Sequence, residues 1–341
     1  MNIRDVAKKA RVSTATVSRV MSDINVVKPE TAERVRNAIE ALSYVPNLSA
    51  RTLSKGRTHL FGVVISDITN PFFPDLIYSF NELAEQHKYR AVFANTNYSP
   101  ARMELCIHSL LEQNVEGIAI MTSEMSPNSI QMIAERGIPV VFLNEPGPKN
   151  SPMNIVVDYK SGMEQAIDHI AELGHKRIAF IGGPQDLRSA ALRQSIFLKA
   201  LKEKGIKLDK KRLTSGNHRV DGGYAAMQRL LEHSPLPTAV LTSNDLTAIG
   251  AISAIYEAGL QVPRDVSVVG FDDIEMSAVY NPALTTVRLS RADIATRAFF
   301  FLYYAVNGAP GAAAKRKIKD TTDKMVPTQL ILRKSTAPPV N

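Results

Sequence analysis

The chain has 341 residues, 45% of them hydrophobic, with 41 Lys and Arg against 33 Asp and Glu for a formal net charge of +8. That length accommodates a small domain plus a large one built of two lobes, and the apolar content is that of a globular protein with a substantial core. No apolar run approaches a membrane helix in length, the opening Met1-Asn-Ile-Arg-Asp5 has no leader pattern, and a single cysteine, Cys106, excludes an intrachain disulfide and fits a reducing cytosol.

The stretch from Asn2 to Val20 reads as two short helices around a tight turn. Val6 and Ala10 share one helical face, Val17 and Val20 another, and Arg11-Val12 supplies the turn. Ser13 stands where a helix start needs a side-chain oxygen for its free N–H groups. After it the outward positions Thr14, Ala15, Ser18 and Arg19 are small or polar apart from one long bidentate donor, which suits base edges in the DNA major groove. Spacing alone fits an ordinary helical hairpin equally well. Charge tips the balance. Pro29 is placed to open a third helix with Val35, Ile39 and Leu42 on its apolar stripe. Residues 1–57 hold eleven Lys and Arg against five acids, +6 of the total +8, which concentrates positive charge where phosphate binding needs it.

Pro46 is expected to end the third helix. Asn47 to Lys55 has the length of a two-turn helix, marginal by itself in water, or of a plain tether, before Gly56 and Thr58 lead into the next region. From Leu60 to Ile65 a continuous apolar run reads as a strand buried on both faces. A loop (66–73), an amphipathic helix (about 74–87) and a strand at 90–94 follow. The unit recurs with strands at 117–121 and 138–143. A second set has strands at 177–182, 239–241 and 266–271, with Phe197, Leu198 and Leu201 on the helix after the first. Alternation of this kind produces parallel sheets with helices on both faces, here two similar subdomains. Cys106 falls among helix-core residues as a small buried hydrophobe.

Ligands of such folds bind beyond the carboxyl ends of the strands, and polar residues gather there. The first set supplies Asn70, Phe72 and Phe73, then Asn144. In the second, loops supply Ser189 and Arg193, then His218, Asn244 and Asp272. Phenylalanine offers flat apolar surface to a sugar ring, and Arg193, Asn244 and Asp272 offer bidentate partners to its hydroxyls. Individually, Asn70, Asn244 and Asp272 also suit helix caps, Phe73 suits the core, and His218 suits a structural role; Asp245 and Asp273 read as structural. Residues 285–305 add a strand and helix, and 308–319 read as a surface loop.

Two stretches carry a specific resemblance. Asp5-Val-Ala-Lys-Lys-Ala-Arg-Val-Ser-Thr-Ala-Thr-Val-Ser-Arg-Val20 and Tyr44-Val-Pro-Asn-Leu-Ser-Ala-Arg-Thr-Leu53 resemble the signatures of the lactose/galactose repressor (LacI/GalR) family, and the likeness continues to Val326-Pro-Thr-Gln-Leu-Ile-Leu-Arg-Lys-Ser-Thr336. Lys28, before Pro29, departs from the serine cap common in that family. The resemblance implies an α/β core of two doubly wound subdomains, of the type I periplasmic-binding-protein kind, behind a small all-α helix-turn-helix domain. The implied divisions are 1–45 for the reading head, 46–58 for a hinge helix, and 59–336 for the core, with 337–341 as a tail. Within the core, an N-subdomain takes about 59–158 and 287–319, and a C-subdomain about 159–286 and 320–336.

It further implies a cytoplasmic, ligand-controlled regulator, not an enzyme, with neither metal nor cofactor, bound to a pseudo-palindromic operator as a homodimer. In it Arg4, Ser13, Thr14, Ala15, Thr16, Ser18 and Arg19 would meet DNA, together with Asn47, Ser49, Ala50, Leu53 and Lys55 of the hinge, Leu53 wedging into the minor groove. The nine strand-end residues would hold an effector, a sugar or sugar phosphate. The C-terminus has no heptads, so the tetramer-forming helix of some relatives is not expected. The other classes for such a core fit less well. A nicotinamide enzyme would need Gly-x-Gly-x-x-Gly after a strand, which Gly182-Gly-Pro does not supply, and no nucleophile elbow, P-loop or metal-ligand His pair is present. A periplasmic solute-binding protein would need an export leader and no basic head.

Overall fold

A computed structural model describes residues 1–21, 27–44, 57–122, 127–144, 154–207, 209–308 and 325–340. The chain divides into two compact units, Met1–Thr58 and His59–Asn341.

In the first unit, α1 (Ile3–Ala10), α2 (Thr14–Met21) and α3 (Pro29–Ala41) bury Val6, Ala7, Ala10, Val17, Val20, Val35 and Ala38 against one another. Ile39 and Leu42 of the expected stripe lie at the rim of this core. Asn2 and Asp5 form a reciprocal capping box on α1, Asn2 Oδ1 accepting from the N–H of Arg4 at 2.8 Å and Asp5 Oδ2 from the N–H of Asn2 at 2.8 Å. The chain leaves α1 through Arg11 at φ 52°, with the N–H of Val12 bonded to the Ala7 carbonyl at 3.0 Å. This left-handed cap turns the backbone sharply into α2. The third helix ends at Ala41 and not at Pro46. Ser43 takes φ 45°, and the N–H of Tyr44 closes on the Ile39 carbonyl at 3.0 Å. Because Tyr44 and Ile39 also pack on the same core, the helix is terminated by its own cap before the proline is reached. Asn47, Ser49, Ala50, Leu53 and Lys55, with the expected hinge helix, lie outside the described residues, as do all but the first residue of the 308–319 loop.

The second unit holds two sheets. The first, in the order β2-β1-β3-β4-β5, consists of β1 (Leu60–Ile65), β2 (Arg90–Asn95), β3 (Gly117–Met121), β4 (Val140–Leu143) and the short β5 (Asn154–Ile155), all parallel. The second runs β11-β10-β9-β8-β6-β7, from β6 (Ile178–Gly182), β7 (Leu213–Ser215), β8 (Ala239–Thr242), β9 (Ser267–Asp272), β10 (Thr285–Leu289) and β11 (Thr328–Ile331), of which only β11 is antiparallel. Buried runs such as Phe61 to Ile65 and Ile178 to Ile181 are what helices on both faces require.

Those helices are α4 (Phe72–Gln86), α5 (Pro100–Glu112), α6 (Pro127–Arg136), α7 (Tyr159–Glu172), α8 (Arg188–Glu203), α9 (Val220–Leu231), α10 (Asp245–Glu257), the short α11 (Glu275–Val279) and α12 (Arg291–Asn307). α4 begins at Phe72, two residues earlier than expected, because Asn70 Oδ1 accepts the Phe72 N–H at 3.1 Å and turns the chain into the helix. Phe73, Leu76, Phe80 and Ala84 then form its buried stripe. On α8, Phe197 and Leu201 are buried but Leu198 is 37% exposed. Cys106, expected to be buried, is half-buried on α5, its thiol 3.7 Å from the Asn95 carbonyl.

Two expected divisions meet a different arrangement. A boundary at residue 287 would cut β10, which pairs with β9 from Thr285 to Arg288 and with β11 from Thr286 to Leu289. The chain therefore leaves the second sheet after Leu289, and α12 packs on α4, β3 and β4 of the first. Ala337, assigned to the tail, is tied to the second sheet, its carbonyl accepting from Ser267 Oγ at 3.0 Å and lying 2.9 Å from His175 Nε2.

Candidate functional site

On the first unit, Ser13 accepts the Thr16 N–H at 3.1 Å, and its hydroxyl meets that of Thr16 at 2.9 Å, so both residues hold the start of α2. Arg4, Thr14, Ala15 and Arg19 are exposed, and Ser18 is half-buried. The outward face of α2 thus presents one guanidinium among short side chains, on a helix seated by Val17 and Val20. Such a face lets a backbone approach base edges closely while one long side chain reaches them.

In the second unit, all nine strand-end candidates line one cavity of about 60 Å³ between the two sheets: Asn70, Phe72, Phe73, Asn144, Ser189, Arg193, His218, Asn244 and Asp272. Its floor includes Ser66 and Thr122, whose hydroxyls meet at 2.6 Å beyond β1 and β3. That is the point where the strand order of the first sheet reverses, the place where open α/β folds take ligands. Ser189 and Arg193, expected on loops, stand on the first two turns of α8.

The nine do different work. Asn244 caps α10, accepting the Thr247 N–H at 2.9 Å, and its amide donates to the His218 carbonyl at 2.9 Å. Asn144 accepts the Val157 N–H at 2.7 Å and donates to the Tyr159 hydroxyl at 2.9 Å. Both amides are thereby committed to the fold. Arg193 is buried between the rings of Tyr159 and Phe271, 5.0 and 4.9 Å from their centroids. Its Nη1 donates to the Ser243 carbonyl and lies 3.9 Å from Asp272 Oδ1. Its Nε has no hydrogen-bond partner among the described residues, and neither has His218 Nε2. Orphaned buried polar atoms carry a desolvation cost unless something else fills them. Phe72 and Phe73 meet edge to face at 5.3 Å and supply the apolar wall.

Burial, with the Arg193 guanidinium nearby, pushes the His218 imidazole down to about 3, so the ring is neutral. Burial raises Asp272 to about 6, with Arg193 and Arg291 pulling the other way. Asp245 is raised well above its ordinary range by burial and by the neighbouring Asp272; it bonds Thr286 and the Ile274 N–H, within the fold. Asp273 is gripped by Arg288 and Arg333. Four of these strand-end residues, Asn144, His218, Asp272 and Asp273, have positive φ of 55°, 63°, 111° and 56°. A non-glycine residue in this region costs of order 1–3 kcal/mol, and such residues persist where surrounding bonds over-determine them. Arg291 is one source of such bonds. Its Nη1 donates to the carbonyls of Asp272 and Asp273 at 2.8 and 3.0 Å, and its Nε reaches Asp75 on α4 at 3.1 Å. Sequence reasoning missed Arg291, Tyr159 and Tyr98. The first two open helices, where a side chain has many possible neighbours, and Tyr98 lies in a polar loop after β2. Only proximity in the folded chain brings Tyr98 and Tyr159 to the cavity and Arg291 to the backbone carbonyls of Asp272 and Asp273.

A profile of bacterial regulatory proteins of the lacI family matches residues 2–47, and one of periplasmic binding protein-like domains matches residues 167–336. The chain is 34% identical over 307 residues to the HTH-type transcriptional repressor PurR of Pasteurella multocida, covering 89% of this chain and 92% of that protein. To the PurR of Haemophilus influenzae (strain PittEE) it is 33% identical over 335 residues, 98% of either chain. Among solved structures, the lac repressor dimer bound to operator and the anti-inducer ONPF superposes with a TM-score of 0.84 at 28% identity, covering 99% of each chain. A complex of the transcriptional regulator CelR with cellobiose gives 0.71 at 28% identity, covering 98% of this chain and 99% of that one.

Proposed function

The chain belongs to the bacterial regulatory proteins of the lacI family, ligand-responsive DNA-binding repressors rather than enzymes, and from that premise we propose that it acts in the cytoplasm as a homodimer on a pseudo-palindromic operator, released or fixed there by a small neutral sugar. One observation carries the effector reading: nine residues chosen from strand ends all line a single cavity between the sheets. Phe72 and Phe73 would cover the apolar faces of a sugar ring, while Asp272, Arg193 and His218 would take its hydroxyls.

Charge favours a neutral sugar over a sugar phosphate. Among the described residues lining the cavity, Arg193 is the one permanent cation, and the Asp272 carboxylate beside it offsets that charge. A phosphate would enter without a spare counter-charge, and an unpaired buried charge is costly. Thermal-shift titration with pentoses, hexoses and disaccharides, each beside its monophosphate, tests this. The neutral sugar that raises the melting temperature should also change operator affinity. Stabilisation by phosphate esters alone would exclude the neutral-sugar reading.

Two measurable consequences follow from single residues. Sugar hydroxyls donate to an ionised Asp272, whose carboxyl titrates at about 6. Sugar affinity should therefore be flat above that pH and fall by about tenfold per unit below it, as the carboxylate takes up a proton. Over the same range Arg193 keeps its charge, His218 stays neutral, and Asp273 stays ionised under Arg288 and Arg333, while burial holds the Asp245 carboxyl above its ordinary range. An isothermal titration series from pH 5 to 8 with no break near 6 would remove Asp272 from direct contact.

The second concerns the reading head. Arg19 is the long donor on the exposed face of α2, so Arg19→Ala should cost roughly 1–3 kcal/mol at one base pair and relax preference there. Gel-shift titrations on operator and random DNA separate the possibilities. Equal losses on both would mean that Arg19 contacts phosphate only.

A further inference from the structure

At the mouth of the cleft a polar cluster ties the two sheets together. Asp67 follows β1 and is 1% exposed. Thr69 holds its Oδ1 through an N–H at 3.0 Å and a hydroxyl at 2.7 Å, which leaves Oδ2 for another partner. That partner comes from the other sheet. Arg219, the residue before α9, donates to Asp67 Oδ2 from Nε at 2.8 Å and approaches it with Nη2 at 2.7 Å. The same Nη2 donates to Asn97 Oδ1, beyond β2, at 2.6 Å.

Both sides of this contact are set by local structure. The N–H of Arg219 donates to Asn217 Oδ1 at 3.0 Å, and that oxygen sits 2.0 Å from where a Cβ on Gly222 would stand, so only glycine lets the loop close so tightly. Asn97 and Tyr98 turn through φ 51° and 58°. One residue inward from the cluster on each side, Tyr98 and His218 line the cavity, their rings 6.1 Å apart. The chain crosses between the sheets elsewhere, at residues 156–158, after Leu289, and again before β11, where Val326 bridges to Val157. Two guanidinium nitrogens converge on one carboxylate oxygen, and hydrogen bonds between ionised partners are shorter and stronger than neutral ones. Burial works against the Asp67 charge, but its bonds from Thr69 and Arg219 outweigh that and hold the carboxyl below its ordinary range. The Arg219 side chain is 40% exposed, so dissolved salt reaches the pair.

We propose that Arg219, Asp67 and Asn97 form a latch that shuts the cleft without any ligand, so that an effector adds to a closure the protein already makes. The latch sets how much of the ligand-free core is closed, and any sugar must enter through its opening. That consequence for the effector rests on the cleft reading above; the latch itself does not.

The test therefore needs no ligand. A spin-label pair on the full-length chain, at Leu105→Cys on α5 and Lys199→Cys on α8 in a Cys106→Ser background, exchanged into an excess of unlabelled chain so that pairs within one protomer are read, reports the separation of the sheets by pulsed dipolar spectroscopy. At low salt, one narrow distance should dominate. In Arg219→Met at least half of the population should move to a second distance, and Asp67→Asn should give that same second distance. Raising NaCl to about 1 M, where the screening length is about 3 Å, should move the parent protein toward that distance but leave Arg219→Met where it was. A distribution unchanged by both substitutions and by salt would overturn the latch. So would a second distance in Arg219→Met that Asp67→Asn does not reproduce, since the pair would then not be what holds the cleft. Folding of each variant is checked by circular dichroism, and Asn97→Ala, which removes only one acceptor, should shift a smaller share to the same distance. A latch found in a protein that binds no sugar would leave this inference standing while the effector reading falls, and the converse result would separate them the other way.

Discussion

Arg193→Ala should abolish the influence of effector on operator binding while leaving operator binding itself in place. Arg193 reaches the cavity from the second sheet, whereas Phe72, Phe73 and Asn70 reach it from the first. A ligand held from both sides binds one inter-sheet arrangement better than another, and only such differential binding transmits a signal, typically worth about 1–3 kcal/mol. Asp272→Ala should have the same effect from the other member of the pair. If the sugar weakens operator binding in the parent, both variants repress permanently; if it strengthens it, both stay silent. The arginine variant should also lose stability, by about 3–5 kcal/mol if the Asp272 carboxylate stays charged and less as it takes up a proton. Arg193→Lys separates the roles, because an ammonium keeps the charge but cannot fill the flat slot between Tyr159 and Phe271. Operator titrations with and without the sugar found by thermal shift decide the matter. A variant that responds normally would take its residue out of the site, and normal response in both would leave the cavity without a role in control.

Gly250→Ala is expected to destabilise the protein and to weaken effector binding together. An added Cβ at Gly250 on α10 would lie 2.0 Å from the Val220 carbonyl oxygen and 2.7 Å from the Tyr224 nitrogen of α9. Gly223 on α9 meets the backbone of Thr247 in the same way, at 2.3 Å from its carbonyl oxygen. Alanine is favoured over glycine inside a helix by about 1 kcal/mol, but here it must push one backbone away from another, and overpacking costs about 1–3 kcal/mol or more. Overlap wins, so the net change is a loss. α9 is preceded by His218 and Arg219, and α10 by Asn244, whose amide bonds the His218 carbonyl at 2.9 Å. Separating the helices therefore disturbs cavity and latch at once. Chemical denaturation reads the first effect and sugar titration the second; an unchanged midpoint would show that the helices slide apart without cost.

The sequence by itself determined the local elements and the kind of residue at each strand end. Runs such as Leu60 to Ile65 have one reading because a continuous apolar strand is stable only between two layers of helices. Ser13 announces a helix start because few side chains can accept free N–H groups there, and the concentration of positive charge before residue 58 points to a polyanion whatever the fold. The nine cavity residues were legible for a related reason. Polar groups at the carboxyl ends of buried strands must be helix caps, structural ties or ligand contacts, and a common address makes them worth grouping.

Which of the three each one is, only the tertiary structure decided. Asn144 and Asn244 look identical in sequence to residues that hold ligands, yet both ends of each amide are bonded within the fold. His218 suits a structural role on sequence alone, yet it carries a buried nitrogen with no partner among the described residues. Arg291 and Arg219 were invisible because their partners, Asp75 and Asp67, lie far away in the chain and beside them in space. The same holds for the fate of β10, which a boundary drawn on sequence would divide and which pairing with β9 and β11 keeps whole. Periodicity and capping are local and can be read along a chain. Hydrogen-bond satisfaction and charge balance depend on which distant groups folding brings together.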